Sequence, residues 1–524
     1  MDSTCFRYTE LPGSSRLFLD YLYAFEKVAG FYSHRPVMEE VVTAAQEIQY
    51  PEERRAALVA ALLGQNGPSK NLDRLAEPGT VVVVTGQQVG LFSGPAYTIF
   101  KALTAVKVAA ELTSRGVPAV PVFWLATEDH DFAEISKVWT FNSVDQPVSA
   151  SVTAPAGHDG PVGPIALTEY PIKELKAALA GFDFAPEVVA MVEAAYQPGR
   201  TLGDAFRALL RALMAEYNLL YLDPLDPAIR KLGTPFLQSA IAKGLDLYPA
   251  LLARTKELEQ AGYHAQVLVE NQTSLFFLLE GGQRIPLKRQ GERYLSREGS
   301  FSADDLIARA AHVSPNALLR PVMQDYLMPT AAYIGGPAEL AYFAQSEVLY
   351  RSLLGRMPVM MARNGFTLLD ARSIKLMNRY GFSLPALFKG DDLVRDTIAS
   401  ELVPAHVKAA VLHAKAEASG ALESLARELE DFDKSLAIAT AKSRAKILYQ
   451  LGKIERKTAR ETLRRDERAT ADAAHLSHLL FPHKHLQERF YSILPFLAKH
   501  GVDLIGRIAE RTSADCADHQ VIEL

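Results

Sequence analysis

Up to about residue 370 the apolar positions of this chain fall in short, unbroken runs separated by stretches of helical spacing. Beyond that they thin into a narrow stripe. Val81–Thr85 reads VVVVT, and VPVFWLAT spans 120–127. Between them, from about Pro95 to Arg115, lies a long apolar stretch of helical period. A continuous apolar strand, a crossover helix and a second apolar strand predict parallel strands buried on both faces. Further short runs have the same character: LLYL at 219–222, TAAYIGG from Thr330 and MPVMMA from Met357. SLFFLLEGGQRIPLKRQGERYLS, from Ser274, predicts a strand and a hairpin turning at Gly281-Gly282. HAQVLVE, from His264, predicts another strand. The first 76 residues read as helices, with Leu58/Leu62 and Val59/Leu63 each one turn apart. Pro227–Gly262 also reads as helical. The Pro-, Gly- and Ser-rich stretch from about Ser143 to Leu167 predicts an irregular or β insertion.

From Leu393 to about His475 the pattern changes. Leu422, Leu425, Leu429 and Phe432 follow 3-4-3 spacing, and Ile447, Leu451 and Ile454 continue the seam after DFDKS. A narrow apolar stripe with charged flanks predicts a coiled coil. Pro404 and Gly420 are expected to bend or break its first arm. The organisation expected is an α/β core over 1–390 with insertions at about 143–215 and 265–312. A coiled-coil domain over 391–475 follows, and then a segment over 476–524 that packs back on the core.

Composition narrows the class. The chain has 524 residues, is 48% hydrophobic and 22% charged, and carries a formal net charge of −5. Such a balance gives no general electrostatic reason to bind nucleic acid or an anionic membrane. Two cysteines, Cys5 and Cys516, stand near opposite ends, which argues against a disulfide scaffold and fits a reducing cytosol. No leader-like segment and no run of about 20 apolar residues is present. A soluble cytoplasmic protein is expected.

Polar residues gather where predicted strands end, which is where open parallel sheets bind ligands. After VVVVT comes GQQVGLFSGPAYTIFK. Its glycines, Gly86, Gly90 and Gly94, are spaced four apart, which fits neither the dinucleotide fingerprint nor a P-loop. Ser93, Gly94 and Thr98 stand where a helix should begin, with Lys101 one turn on. Free N–H groups there, with Gln87 and Gln88, predict an anion cradle. The second strand ends in Glu128, Asp129, His130 and Asp131. His130 with Asp129 and Asp131 is the candidate catalytic group, with His130 as general base. Helix capping by the aspartates is the plain structural reading. Metal coordination by the carboxylates, such as of Mg²⁺, and recognition of a substrate ammonium or sugar hydroxyls are alternative roles; no metal ligand is assigned, because the spacing matches no recognised ligand set, and a metal requirement stays open. A third group follows Thr330: Gly335, Gly336, Glu339 and Tyr342. Arg320, Gln324 and Asp325 precede that strand, and Arg320 is a candidate for a substrate carboxylate. Lys288, Arg289 and Arg363 are further anion candidates. His483 and His485 lack an obvious third ligand.

Four stretches carry a family resemblance: TGQQVGLFSGPAYTIFKA, VPVFWLATEDHDF, RPVMQDYLMPTAAYIGGPAELAYFAQ and FPHKHLQERFYSILPF. In order along nearly the whole chain, they resemble the bacillithiol biosynthesis cysteine-adding enzymes, or cysteine ligases. The resemblance implies a Rossmann-like core with connecting insertions, a coiled-coil arm and a homodimer built through that arm. It also implies a reaction, the joining of L-cysteine to glucosaminyl-malate, for which ATP is the expected activator of the carboxylate. The sequence is similar, too, to nucleotidyltransferases of the class I aminoacyl-tRNA synthetase kind. It lacks their His-x-Gly-His and Lys-Met-Ser-Lys-Ser elements. A reading of another class is a non-catalytic dimeric metabolite-binding or scaffold protein. Ligand-induced stabilisation without turnover would distinguish it.

Overall fold

A computed structural model describes residues 5–155 and 157–524. The chain divides into two compact units. One comprises residues 1–143, 147–367 and 488–522; the other comprises 144–146, 368–487 and 523–524.

The first unit is built on a five-stranded parallel sheet. Its strands are β1 (Val81–Gln87), β2 (Ala119–Leu125), β3 (Leu220–Leu222), β4 (Thr330–Gly335) and β5 (Val359–Ala362), in the order β5-β4-β1-β2-β3. Helix α1 (Tyr97–Ser114) forms the crossover from β1 to β2. The β-branched runs form strands because both faces are covered. Val81 and Val83 pack with Val108 and Leu112 of α1, and with Met38 and Val41 of a helix near the start of the chain. Each such side chain, fully buried, contributes about 1.5–3 kcal/mol. Of the helical stripe expected near residue 60, Leu58 and Leu62 are buried whereas Leu63 is exposed.

Going β1 to β2 to β3 the chain moves one way across the sheet. It then returns to place β4 on the other side of β1. The carboxyl ends of β1 and β4 therefore flank a topological switch point, where a crevice opens in such sheets. Helix α2 (Arg320–Leu327) precedes β4, and α3 (Pro337–Leu353) follows it.

The predicted hairpin forms, with Gly281 and Gly282 both at positive φ (58° and 77°) in its two-residue turn. Thr273–Glu280 and Gln283–Gln290 are the two strands, and they belong to a separate five-stranded antiparallel sheet ending at Val313–Pro315. HAQVLVE forms no strand; those residues lie in an irregular segment before Thr273. The Pro- and Gly-rich insertion begins with a hairpin pairing Lys137–Phe141 with Pro147–Ser151; within that stretch Ala156 lies outside the described residues. The two cysteines, 511 positions apart, come near each other, because the strand at Cys5–Phe6 pairs with the strand His519–Glu523.

In the second unit, α4 (Ala405–Glu430) and α5 (Lys434–Arg465) form an antiparallel helical hairpin. Ion pairs Lys415–Glu455 and Arg444–Glu423 join the two helices. Pro404 caps α4 from outside, as a helix breaker should. Gly420, by contrast, sits inside an unbroken helix. One glycine costs a helix only about 1 kcal/mol, which the pairing with α5 offsets. Beyond the arm, His475 is buried between Asp145 and Asp370, with Ser373 beside it.

Candidate active site

At the switch point lies a cavity of about 610 Å³. Gly86, Gln87 and Gln88 enter it from the end of β1, and Trp124 and Ala126 from the end of β2. Gly336 and Glu339 come from the turn after β4, and Arg320 from the start of α2. Gly86 must lack a side chain, because a Cβ there would lie 2.9 Å from the Trp124 carbonyl oxygen.

Lys101 is one turn into α1 and almost wholly buried. Its Nζ donates to the Gly86 carbonyl (2.5 Å), to Gln87 Oε1 (3.1 Å) and to Glu339 (2.9 Å). Glu339 also accepts from Tyr333 Oη (2.7 Å) and the Gly336 amide (2.7 Å). Burial pushes the lysine down, against the pull of Glu339. The carboxyl of Glu339 is held low: Lys101 and these donors outweigh the effect of burial. All three lysine donors are used, so Lys101 ties the loop after β1 to the loop after β4 and has no donor left for an anion.

The anion cradle expected at the start of α1 requires correction. Ser93, Gly94 and Thr98 do not line the cavity; Ser93 and Thr98 are buried behind it. The nearby amides are already bonded: Phe92 N to Tyr196 Oη, Gly94 N to Leu91 O and Ala96 N to Tyr491 O. Phe92 and Ser93 both take positive φ, and both are buried. What α1 presents to the cavity is Tyr97, whose hydroxyl burial pushes up to about 12, and Lys101.

The acidic group divides in the same way. Glu128, Asp129 and His130 line the cavity, while Asp131 caps the short helix Phe132–Ile135 by accepting from Glu134 N (3.1 Å). Gln88 Nε2 bridges Asp129 (2.7 Å) and Glu134 (2.8 Å). Glu134 is exposed, yet partial desolvation of its carboxyl raises it. Asp129, although burial acts on it too, is held below its usual range by Gln88 and by the amides of Asp131 and His130. Two linked carboxyls with diverging proton affinities form a candidate acid–base pair. Glu128 is raised by burial, in spite of its ion pair with Arg230 (2.5 Å).

His130 meets Arg284, whose Nη1 lies 2.9 Å from Nδ1. A guanidinium only donates, so Nδ1 accepts and the proton of the neutral ring sits on Nε2. In this geometry His130 offers the cavity a donor rather than the lone pair that a general base needs. Arg284 is fixed by Ser314 Oγ, the Pro315 carbonyl and the face of Phe277.

Arg320 donates to Gln324 Oε1 (3.0 Å) and Tyr342 Oη (3.0 Å). Tyr342 lines the cavity; Gln324 and Asp325 are buried outside it, where Gln324 donates to Asp325 and Asp325 accepts from Tyr350 Oη. Gly335 also lies outside, its carbonyl taken by Arg363 N (2.9 Å). Arg363 does line the cavity and is paired with buried Glu488 (2.5 Å). Lys288 and Arg289 are not among the lining residues.

Sequence reasoning missed Tyr97, Glu134, Arg284, Tyr333 and Arg489. Glu134 could have been found, because it stands on the first turn after TEDHD. The others had no signal of their own.

Comparison with known proteins identifies the family. Residues 1–364 match the family described as bacillithiol biosynthesis BshC, N-terminal Rossmann-like domain, and residues 366–524 match its C-terminal coiled-coil domain. A protein of Solibacter usitatus named "Putative cysteine ligase BshC" is 52% identical over 524 residues, covering all of both chains. One of the same name from Koribacter versatilis is 34% identical over 99% of each chain. Another, from Bacillus cereus, is 26% identical over 96% of this chain and 97% of its own. With both of its parts matched and full-length relatives at this identity, the chain belongs to the BshC family of bacillithiol biosynthesis, a family of ligases.

Proposed function

We propose that this cavity joins L-cysteine to the sugar amine of glucosaminyl-malate, forming the amide of bacillithiol. The observation that carries the reading is the cavity at the switch point, which presents Asp129 and Glu134, both bound by Gln88, together with Arg284 and Arg320. A substrate pair that brings an ammonium and carboxylates needs both signs of charge. The amine attacks an activated acyl carbon, a C–N bond forms, the bond to the leaving anion breaks, and the amine proton passes to a base. Glu134, whose carboxyl is raised by partial desolvation, is suited to take that proton. Asp129, which stays ionised, is suited to hold the ammonium. His130, donating through Nε2, and Arg284 behind it would stabilise negative charge as it develops on the acyl oxygen.

Amide formation from a free carboxylate is unfavourable in water, so the cysteine carboxylate requires activation, and ATP is the activator we assign. The guanidiniums of the cavity are the groups suited to its phosphates. The reaction belongs in the cytoplasm, where cysteine is reduced; no helix among the described residues is long and apolar enough to cross a membrane. The protein would act as a homodimer through its arm, whose Leu412, Leu425, Ile438 and Ile454 are exposed in the single chain.

Incubating the purified protein with L-cysteine, glucosaminyl-malate and ATP should yield bacillithiol by mass spectrometry. Glu134→Gln should lower kcat by about a hundredfold or more, in keeping with loss of a general base. Full activity in that variant would remove Glu134 from the mechanism. Absence of product under all nucleotide and metal conditions would remove the reaction.

A further inference from the structure

The cations around the cavity differ in what neutralises them. Lys101 is matched by Glu339, and Arg363 by Glu488. Arg284 and Arg320 are held by neutral partners. Arg489 lines the same cavity and makes no hydrogen bond or ion pair among the described residues.

Its backbone, by contrast, is clamped on both sides. Glu488 is buried against Arg363 and the Phe366 amide (2.9 Å). The ring of Phe490 stacks on Trp139, with centroids 4.7 Å apart. Tyr491 is fully buried, and its carbonyl accepts from Ala96 N (2.7 Å), just before α1. A fixed stem therefore presents a guanidinium that the fold does not use. Arginine offers five donors in a planar fork that matches carboxylate and phosphate oxygens, and it is charged at any working pH.

We propose that Arg489 is the anion receptor of this cavity and that, together with Arg320, it takes a dianionic group of a substrate. The inference deepens the proposed function and rests on it for the choice of ligand. Two sources share this chemistry: the two carboxylates of a malyl group and the phosphates of a nucleotide. A bidentate contact from Arg489 would order a side chain that is otherwise solvated.

The test uses the full-length protein and the variants Arg489→Ala and Arg489→Lys, with unchanged thermal unfolding as the control for folding. Titration calorimetry with L-malate and, separately, with inorganic pyrophosphate should show binding by the wild type. Arg489→Ala should weaken it by about tenfold to a hundredfold, with partial recovery in Arg489→Lys. Loss confined to L-malate identifies the dicarboxylate as the ligand; loss confined to pyrophosphate identifies the nucleotide. The KM for the corresponding substrate should rise while that for L-cysteine stays put. Equal affinity in wild type and Arg489→Ala, or no binding of either anion at millimolar concentration, overturns the proposal. Turnover with unchanged KM in Arg489→Ala rejects the receptor and leaves the reaction standing. Arg489-dependent anion binding without turnover keeps the receptor and rejects the reaction.

Discussion

Lys101 shows how a residue's role depends on what its atoms already do. One turn into a helix after a glycine-rich loop, it is placed like an anion-binding lysine. In the folded chain its three donors go to Gly86, Gln87 and Glu339. Lys101→Met would leave Glu339 buried without its cation, and breaking such a pair costs about 3–5 kcal/mol. The expected result is a marked fall in the denaturation midpoint, with part of the loss recovered when Glu339→Gln is added. If Lys101→Met kept its stability and lost only ligand affinity, the lysine would be an anion ligand after all. His130 teaches the same lesson. Its place after a strand suggests a base, yet Arg284, 154 positions further on, determines which nitrogen carries the proton. The spacing of TEDHD holds no information about that partner.

At the scale of elements, the parallel strands, the crossover helix and the hairpin at Gly281-Gly282 were legible because their signals are local: apolar runs, turn glycines and helical periodicity. The seam of the arm was also legible, but not what covers it. Leu425 is 48% exposed and Ile454 55% exposed along the hairpin of α4 and α5. A stripe meant only for the partner helix of the same chain would be covered. We therefore expect light scattering to report a dimer for the wild type and a monomer for Leu425→Glu/Ile454→Glu, with helix content retained. A wild type that remains monomeric at micromolar concentration would refute the assignment. Where sequence reading went astray, at Gly420 and at HAQVLVE, tertiary packing outweighed a weak local preference.

Over the whole molecule, the two units carry buried histidines of opposite character. His519, in the first unit, is pushed by burial to about 4, with Glu488 opposing. Between pH 6.5 and 4 the unfolded chain binds the proton that the folded one refuses. That unit therefore loses stability as pH falls, by at most about 3 kcal/mol. His475, in the second unit, would be lowered by burial, but bonds to Asp145 and Asp370 raise it above 6.5. Its contribution is complete below pH 6.5 and is lost as pH rises through the folded value. Calorimetry from acid to mildly alkaline pH should show the first unit weakening as pH falls below 6.5 and the second weakening as pH rises above it. His519→Gln should flatten the acid limb, and His475→Gln the neutral one. Parallel shifts in the unsubstituted protein would contradict the assignment.

By itself the sequence determined the classes of element, the α/β core, the helical arm and which strand ends are polar. Periodicity, turn residues and apolar runs are properties of neighbouring positions. The resemblance supplied the family. Only the tertiary structure decided the composition of the site. It brought Arg284 from a separate sheet and Arg489 from near the end of the chain to the ends of β1 and β4, and it turned Ser93 and Thr98 away. Those outcomes depend on strand order and on competition among partners for each donor, and a linear pattern contains neither.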